Sequence, residues 1–101
     1  MMSDSNNARL AHATLDVSHV TSEDDLHHAF VAQLNFPAYY GHNWDAFWDI
    51  VTGEAGLPET LTVTHSAEFK SRLPEVAHRF EQLVLEAGRD YPWLGTVLDW
   101  Q

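Results

Sequence analysis

Apolar residues recur three and four positions apart in several stretches, which is the spacing of one helix face. The stretch with the largest side chains holds Trp44, Phe47, Trp48 and Val51. Three further helices are predicted on the same ground, with apolar faces at Leu26, Ala29, Phe30 and Leu34; Phe69 and Leu73; and Val76, Phe80, Leu83, Val84 and Ala87. Shorter runs rich in β-branched or aromatic residues predict strands at Leu10–Val17, Leu61–His65 and Trp93–Trp100.

Residue types on either side of the stretch from Trp44 to Val51 predict where its helix begins and ends. Asn43 is a favoured N-cap residue, and Gly53 is a favoured residue just beyond a helix end. The sequence therefore predicts a helix over residues 44–52.

The other helices carry comparable signals. Ser22 stands before three acidic residues and predicts the start of the first helix, which Phe36-Pro37 ends. Ser66 is expected to cap a short third helix. Pro74 suits the first turn of the fourth, and Gly88 is expected to end it.

The order of elements is strand, helix, helix, strand, helix, helix, strand. Strands joined by helical crossovers form parallel sheets. We therefore predict an α/β fold in which a three-stranded parallel sheet packs against about four helices. Residues 9–101 are expected to form one domain, preceded by a flexible tail over residues 1–8.

Composition narrows the classes of function. Five Lys and Arg against fifteen Asp and Glu give a formal net charge of −10, so nucleic acid would be repelled and a basic partner favoured. The chain has no cysteine, no basic-then-apolar leader and no long apolar run. We expect a cytoplasmic protein that does not bind a membrane.

Candidate chemistry is sparse apart from one acidic pair. Asp45, Asp49 and Thr52 share a face beside the apolar stripe, and like charges four residues apart repel each other. By spacing alone the two aspartates indicate a helix face exposed to solvent, and the neighbouring aromatic residues indicate a face buried in the core. The pair could also serve acid/base catalysis, but no phosphate loop, nucleophile elbow or dinucleotide motif accompanies it. We therefore expect no enzymatic activity and no small-molecule substrate.

Seven histidines raise the question of a metal site. His27 and His28 are adjacent, so they cannot share a helix face, and no pair has His-x3-His spacing. We therefore expect neither a metal nor another cofactor.

The residues from Phe36 to Asp49 read Phe-Pro-Ala-Tyr-Tyr-Gly-His-Asn-Trp-Asp-Ala-Phe-Trp-Asp. The pattern Pro-x-Tyr-Tyr-Gly-x-Asn-x-Asp-Ala-x-Trp-Asp within this run resembles the signature of the barstar family, whose members inhibit the ribonuclease barnase. Weaker similarity extends from about Leu15 to Gly88. The resemblance implies the same α/β fold.

The family resemblance also implies a function, namely inhibition of a barnase-like extracellular or toxin ribonuclease in a 1:1 complex. Such a protein would protect its own cell, for example as an immunity protein against a bacterial toxin. The second helix and the loop before it would plug the nuclease active site. The residues implied to contact the nuclease are Tyr39, Tyr40, Gly41, Asn43, Trp44, Asp45, Trp48, Asp49, Thr52 and Gly53.

Within this set the resemblance gives Asp49 a specific role. Its carboxylate would occupy the phosphate-binding subsite of the nuclease, among that enzyme's catalytic Arg, Lys and His residues. A carboxylate offers the anionic acceptors that guanidinium groups bind in pairs. Trp44 and Trp48 would lie at the helix edge, whereas Phe47 is expected in the core.

Two positions depart from the family pattern. Barstar carries an acid at the position of His42 and an aromatic residue at that of Glu54. The departures keep an alternative open, an acidic protein-interaction module whose partner is not a ribonuclease. The resemblance further implies a cis peptide bond between Leu57 and Pro58.

Overall fold

The computed structural model describes residues 11–53 and 56–101 of the chain. The strands are β1 (His12–Asp16), β2 (Thr60–Thr64) and β3 (Val97–Trp100). The helices are α1 (Glu23–Leu34), α2 (Trp44–Thr52), α3 (Ser66–Arg72) and α4 (Pro74–Asp90), followed by a 3₁₀ turn at Pro92–Leu94.

The three strands form one parallel sheet with β2 in the middle. Leu15 of β1 is paired with Val63, and Leu61 is paired with Leu98 of β3. Each crossover between neighbouring strands carries two helices, as parallel pairing requires. The predicted fold class, a three-stranded parallel sheet with four helices, is confirmed.

Three phenylalanines from different helices meet beside the sheet. The ring centroids of Phe30 and Phe47 are 5.0 Å apart, and Phe80 lies 5.5 Å from Phe30 and 5.9 Å from Phe47. All three side chains are fully buried. Because α1, α2 and α4 each contribute one ring, this cluster fixes the position of α2 on the body of the protein.

The start of α1 follows its sequence signal. The Ser22 hydroxyl accepts a hydrogen bond from the Asp25 amide (3.1 Å), and the Asp25 carboxylate accepts one from the Thr21 amide (2.9 Å). The first bond satisfies one of the amides that the first turn leaves without a partner, and the second ties the residue before the cap to the same turn. The helix ends at Leu34, and Asn35 follows it in the left-handed region (φ 58°).

Two expected helix boundaries are wrong. Ser66 does not cap α3, because it lies inside the first turn and its hydroxyl donates to the Gln101 carbonyl (2.8 Å). Gly88 does not end α4, which continues to Asp90. A Cβ at Gly88 would lie 3.1 Å from the Cα of Gly95, so this glycine permits the segment after the 3₁₀ turn to pack closely against α4.

The last strand and one proline bond also differ from expectation. Trp93 lies in the 3₁₀ turn, and β3 begins only at Val97. The bond before Pro58 is trans, and no cis peptide occurs in the described ranges, so the cis prediction is wrong. The predicted tail, the start of the strand at Leu10, and Glu54 lie outside the described residues. None of the described helices is long and apolar enough to cross a membrane.

Candidate functional site

The start of α2 is held by Asn43. Its Oδ1 accepts a hydrogen bond from the Ala46 amide (2.7 Å), and its Nδ2 donates to the Gly41 carbonyl (3.2 Å). The same residue therefore caps the helix and closes the loop before it. The helix spans Trp44–Thr52, the bounds that its capping residues predict.

Backbone conformation in this loop is unusual at His42. This residue has φ 55°, in the left-handed region that side chains other than glycine rarely adopt. Gly41 does not have a left-handed φ. A Cβ there would make ordinary contact with the Ala46 Cβ at 3.4 Å. The residue of this loop with a left-handed backbone is thus His42 and not the glycine.

Tyr40 lies in the core although the sequence predicts it at the binding surface. Only 4% of its surface is exposed, and its hydroxyl shares a hydrogen bond with His27 Nδ1 (2.5 Å). Burial raises the pKa of the Tyr40 phenol, and the Glu23 carboxylate acts in the same direction. Because the ring faces inward, Tyr40 positions the loop and offers a partner little side-chain surface.

The aromatic side chains of α2 divide between the core and its edge. Phe47 is fully buried, as its place in the apolar stripe predicts. Trp44 and Trp48 are half-buried and pack against the core. The Trp44 ring lies 4.7 Å from that of His27 and 5.4 Å from that of Phe47, so core rings support it while part of its surface stays exposed.

Asp45 and Asp49 are both exposed on α2. Within residues 11–53 and 56–101, no ion pair includes either carboxylate. Both side chains therefore lack an internal counter-charge. They give this helix face a local negative charge that a cationic group can approach directly.

Asp49 borders an open depression of about 290 Å³. The lining residues come from the loop and from α2: Tyr39, Tyr40, Gly41, Ala46, Asp49 and Ile50. Tyr39 is 75% exposed and stands on the loop side of the depression. A phenol ring and a carboxylate thus flank a hollow that can receive a basic side chain.

The end of α2 is closed by Thr52 and Gly53. The Thr52 hydroxyl donates to the Trp48 carbonyl (2.6 Å) and so is engaged within the helix. A Cβ at Gly53 would lie 2.5 Å from the Asp49 carbonyl oxygen, a distance that no side chain tolerates. Gly53 is required for the helix to end here.

The structure brings nine of the ten predicted contact residues to one surface, which we call the α2 surface. Its members are Tyr39, Gly41, Asn43, Trp44, Asp45, Trp48, Asp49, Thr52 and Gly53. An exposed acidic and aromatic face of this kind suits a cationic protein partner.

Sequence reasoning missed two histidine roles. His27 is fully buried beneath Tyr40 and Trp44. Its position three residues before Phe30 places it at the border of the apolar stripe of α1, and this spacing was the signal that could have revealed its burial. His42 lies beside Asp24 and His28 of α1. No spacing in the sequence reveals that His42 joins Asp24 and His28, because the three residues meet only when the loop folds onto α1.

Comparisons with known proteins agree with the fold. The family model described as Barstar (barnase inhibitor) matches residues 10–98. A protein of Bacillus subtilis (strain 168), named "Putative ribonuclease inhibitor YrdF", is 37% identical over 62 residues. The alignment covers 61% of this chain and 68% of that protein.

Proposed function

The chain belongs to the barstar family, and on that premise we propose that it inhibits a basic ribonuclease. The family description and the name of the similar Bacillus subtilis protein both refer to ribonuclease inhibition and not to catalysis. In our proposal the α2 surface blocks the active site of a barnase-like extracellular or toxin nuclease in a 1:1 complex.

The observation that carries this proposal is the state of Asp49. Its carboxylate is exposed and borders a depression, and no ion pair in the described ranges neutralises it. A carboxylate held in this way costs little to transfer onto a cationic cluster, since no internal partner has to be broken. Its two oxygens offer the acceptors that a guanidinium group binds in a nuclease phosphate subsite.

Aromatic residues surround the Asp49 carboxylate and would exclude water from its contact with the nuclease. The half-buried indoles of Trp44 and Trp48 pack against the core, so they can cover the rim of a cleft at little cost in side-chain entropy. Tyr39 stands on the other side of the depression. Water excluded by these rings would strengthen the contact between Asp49 and the cationic residues of the nuclease.

We place the complex in the cytoplasm of the producing cell, where the inhibitor would neutralise its own nuclease or an incoming toxin as an immunity protein. The excess of acidic residues supports a basic partner of this kind.

Capture of the partner tests the proposal. Full-length chain and an Asp45→Asn/Asp49→Asn variant are immobilised side by side and exposed to extract and secretions of the producing cells. The proteins that bind are eluted in high salt and assayed for RNA cleavage. We expect a basic protein with ribonuclease activity on the parent chain and much less of it on the variant.

Two outcomes would overturn the proposal. Equal ribonuclease capture by both chains would remove the α2 surface from its assigned role. A partner that binds specifically but does not cleave RNA would instead favour an acidic interaction module on the same scaffold. The circular dichroism spectrum of the variant serves as the control for folding.

A further inference from the structure

Two histidines and one aspartate converge where the loop before α2 meets α1. Asp24 and His28 are one turn apart on the exposed side of α1, with 3.3 Å between His28 Nδ1 and Asp24 Oδ2. His42 approaches from the loop, and its Nδ1 lies 3.6 Å from Asp24 Oδ1. Each of the three residues offers one possible ligand atom, and these three atoms all lie within 4.8 Å of one another.

We propose that Asp24, His28 and His42 form a binding site for a divalent transition-metal ion, with Zn²⁺ as the best-suited ion. Imidazole nitrogen and carboxylate oxygen are ligands of Zn²⁺, whereas Ca²⁺ and Mg²⁺ require mostly oxygen. In a tetrahedron with bonds of about 2.0–2.2 Å, neighbouring ligand atoms lie about 3.3–3.6 Å apart. The two carboxylate–imidazole distances fall in this range, one to each Asp24 oxygen, so rotation of the carboxylate would turn one oxygen toward both imidazoles. His28 Nδ1 would exchange its 3.0 Å contact with the Asp24 carbonyl for the metal ion.

The fold positions the third ligand. His42 has the left-handed φ of 55° and packs its ring edge-on against that of His28, with 4.4 Å between the centroids. Its side chain is 29% exposed, against 64% for His28 and 67% for Asp24. The most restricted ligand is therefore the one that comes from the loop, so little loop ordering remains to be done when the metal binds.

Three protein ligands leave one tetrahedral position open. Water would fill it in the isolated chain, as in zinc sites that bind an exchangeable ligand. A metal ion at this place would join α1 to the loop directly before Asn43, which caps α2. Zn²⁺ binding would therefore stabilise the loop that carries part of the α2 surface. This inference does not depend on ribonuclease inhibition.

Calorimetric titration of the metal-free, full-length chain with ZnCl₂ at pH 7.5 tests the site. We expect one Zn²⁺ per chain and a melting temperature that rises with Zn²⁺ concentration, because the ion binds the folded state. The variants His28→Gln, His42→Gln and Asp24→Asn should each weaken binding at least about tenfold, since even loss of an indirect ligand partner has that effect.

His65→Gln is the matched control. His65 forms a two-residue group with Asp16, with 3.1 Å between Nδ1 and Oδ1, but this pair does not belong to a group of three within the described residues. We expect its loss to leave Zn²⁺ affinity unchanged. Equal weakening by His65→Gln would show non-specific binding to surface histidines and overturn the proposal.

A second probe reports the coordination itself. Co²⁺ in place of Zn²⁺ should give the intense visible absorption of a tetrahedral site in the parent chain and lose it in His42→Gln. Far-UV circular dichroism of each metal-free variant verifies its fold, and a variant that fails to fold is replaced by the other two. Unchanged Zn²⁺ affinity in the folded variants would refute the site.

Discussion

Asn43 makes two hydrogen bonds that serve different parts of the structure. The bond from its Oδ1 caps α2, and the bond from its Nδ2 holds the Gly41 carbonyl. We expect Asn43→Ala to lower the free energy of unfolding by about 1 kcal/mol, the usual cost of losing an N-cap. Urea denaturation followed by circular dichroism measures this change.

Asn43→Asp separates the two roles of this side chain. Aspartate keeps the acceptor for the Ala46 amide but lacks the donor for the Gly41 carbonyl. We expect this variant to retain most of the stability that the alanine variant loses. Equal loss in both variants would show that the cap contributes little and that the loop bond dominates.

Single residues differ in how far the sequence reveals them. The role of Asn43 could be predicted because an N-cap depends on one side chain and the amide three residues on. The burial of Tyr40 could not, because its depth depends on the rings of α1 that receive it. The place of His42 beside α1 could not be predicted for the same reason, since its ring packs against that of His28.

At the level of elements, α1 and the loop before α2 are joined through the buried His27. Its Nδ1 bonds with Tyr40, and within the described chain its Nε2 has no hydrogen-bond partner. Burial lowers the pKa of His27, while the Glu23 carboxylate at 3.6 Å opposes the shift and the nearby His42 adds to it. The folded protein therefore holds this imidazole neutral.

The depressed pKa of His27 predicts how stability depends on pH. In the unfolded chain histidine takes up a proton near pH 6.5, whereas in the folded protein it does so only at lower pH. The stabilisation is complete above pH 6.5 and decreases as the pH falls from 6.5 to the folded-state pKa. One proton sets a slope of at most about 1.4 kcal/mol per pH unit in this interval.

Urea denaturation of the metal-free protein between pH 8 and pH 5 measures this slope. His27→Phe removes the titrating group but keeps an aromatic ring, so its stability should fall less steeply below pH 6.5 than that of the parent. The exposed His78→Gln is the control and should retain the parent slope. Identical slopes for the His27 variant and the parent would contradict this account.

Elements whose ends depend on local residues agree with their predictions. The bounds of α2 follow from Asn43 and Gly53, and the start of α1 follows from Ser22. Elements that end through tertiary contact do not. Gly88 has the residue type of a helix end, but its function is the close approach to Gly95, and that contact exists only in the folded protein.

For the whole molecule, the net charge of −10 is the property that bears most directly on association. A strongly acidic surface attracts a basic nuclease over long range, and this attraction is screened by salt over a distance of about 10 Å at 0.1 M and about 3 Å at 1 M. We expect the association rate constant with the captured nuclease to fall as salt rises. The dissociation rate constant should change much less.

Surface plasmon resonance at several NaCl concentrations measures both constants. Association that is independent of salt would show that long-range attraction does not assist binding.

The fold and the acidic character of the chain could both be predicted from sequence, because parallel topology follows from element order and charge from composition. The metal-binding group could not, since it combines residues from α1 with a residue 14 positions beyond His28.

Inhibition of a ribonuclease by the α2 surface is proposed to depend on Asp49. A fixed amount of the captured nuclease is titrated with the parent chain, with Asp49→Ala and with Glu68→Ala, which removes an exposed acid on α3. We expect the parent and Glu68→Ala to abolish RNA cleavage at one chain per nuclease. Asp49→Ala should need a large excess, because its complex dissociates faster. Complete inhibition by Asp49→Ala at the same 1:1 ratio would show that inhibition does not depend on Asp49.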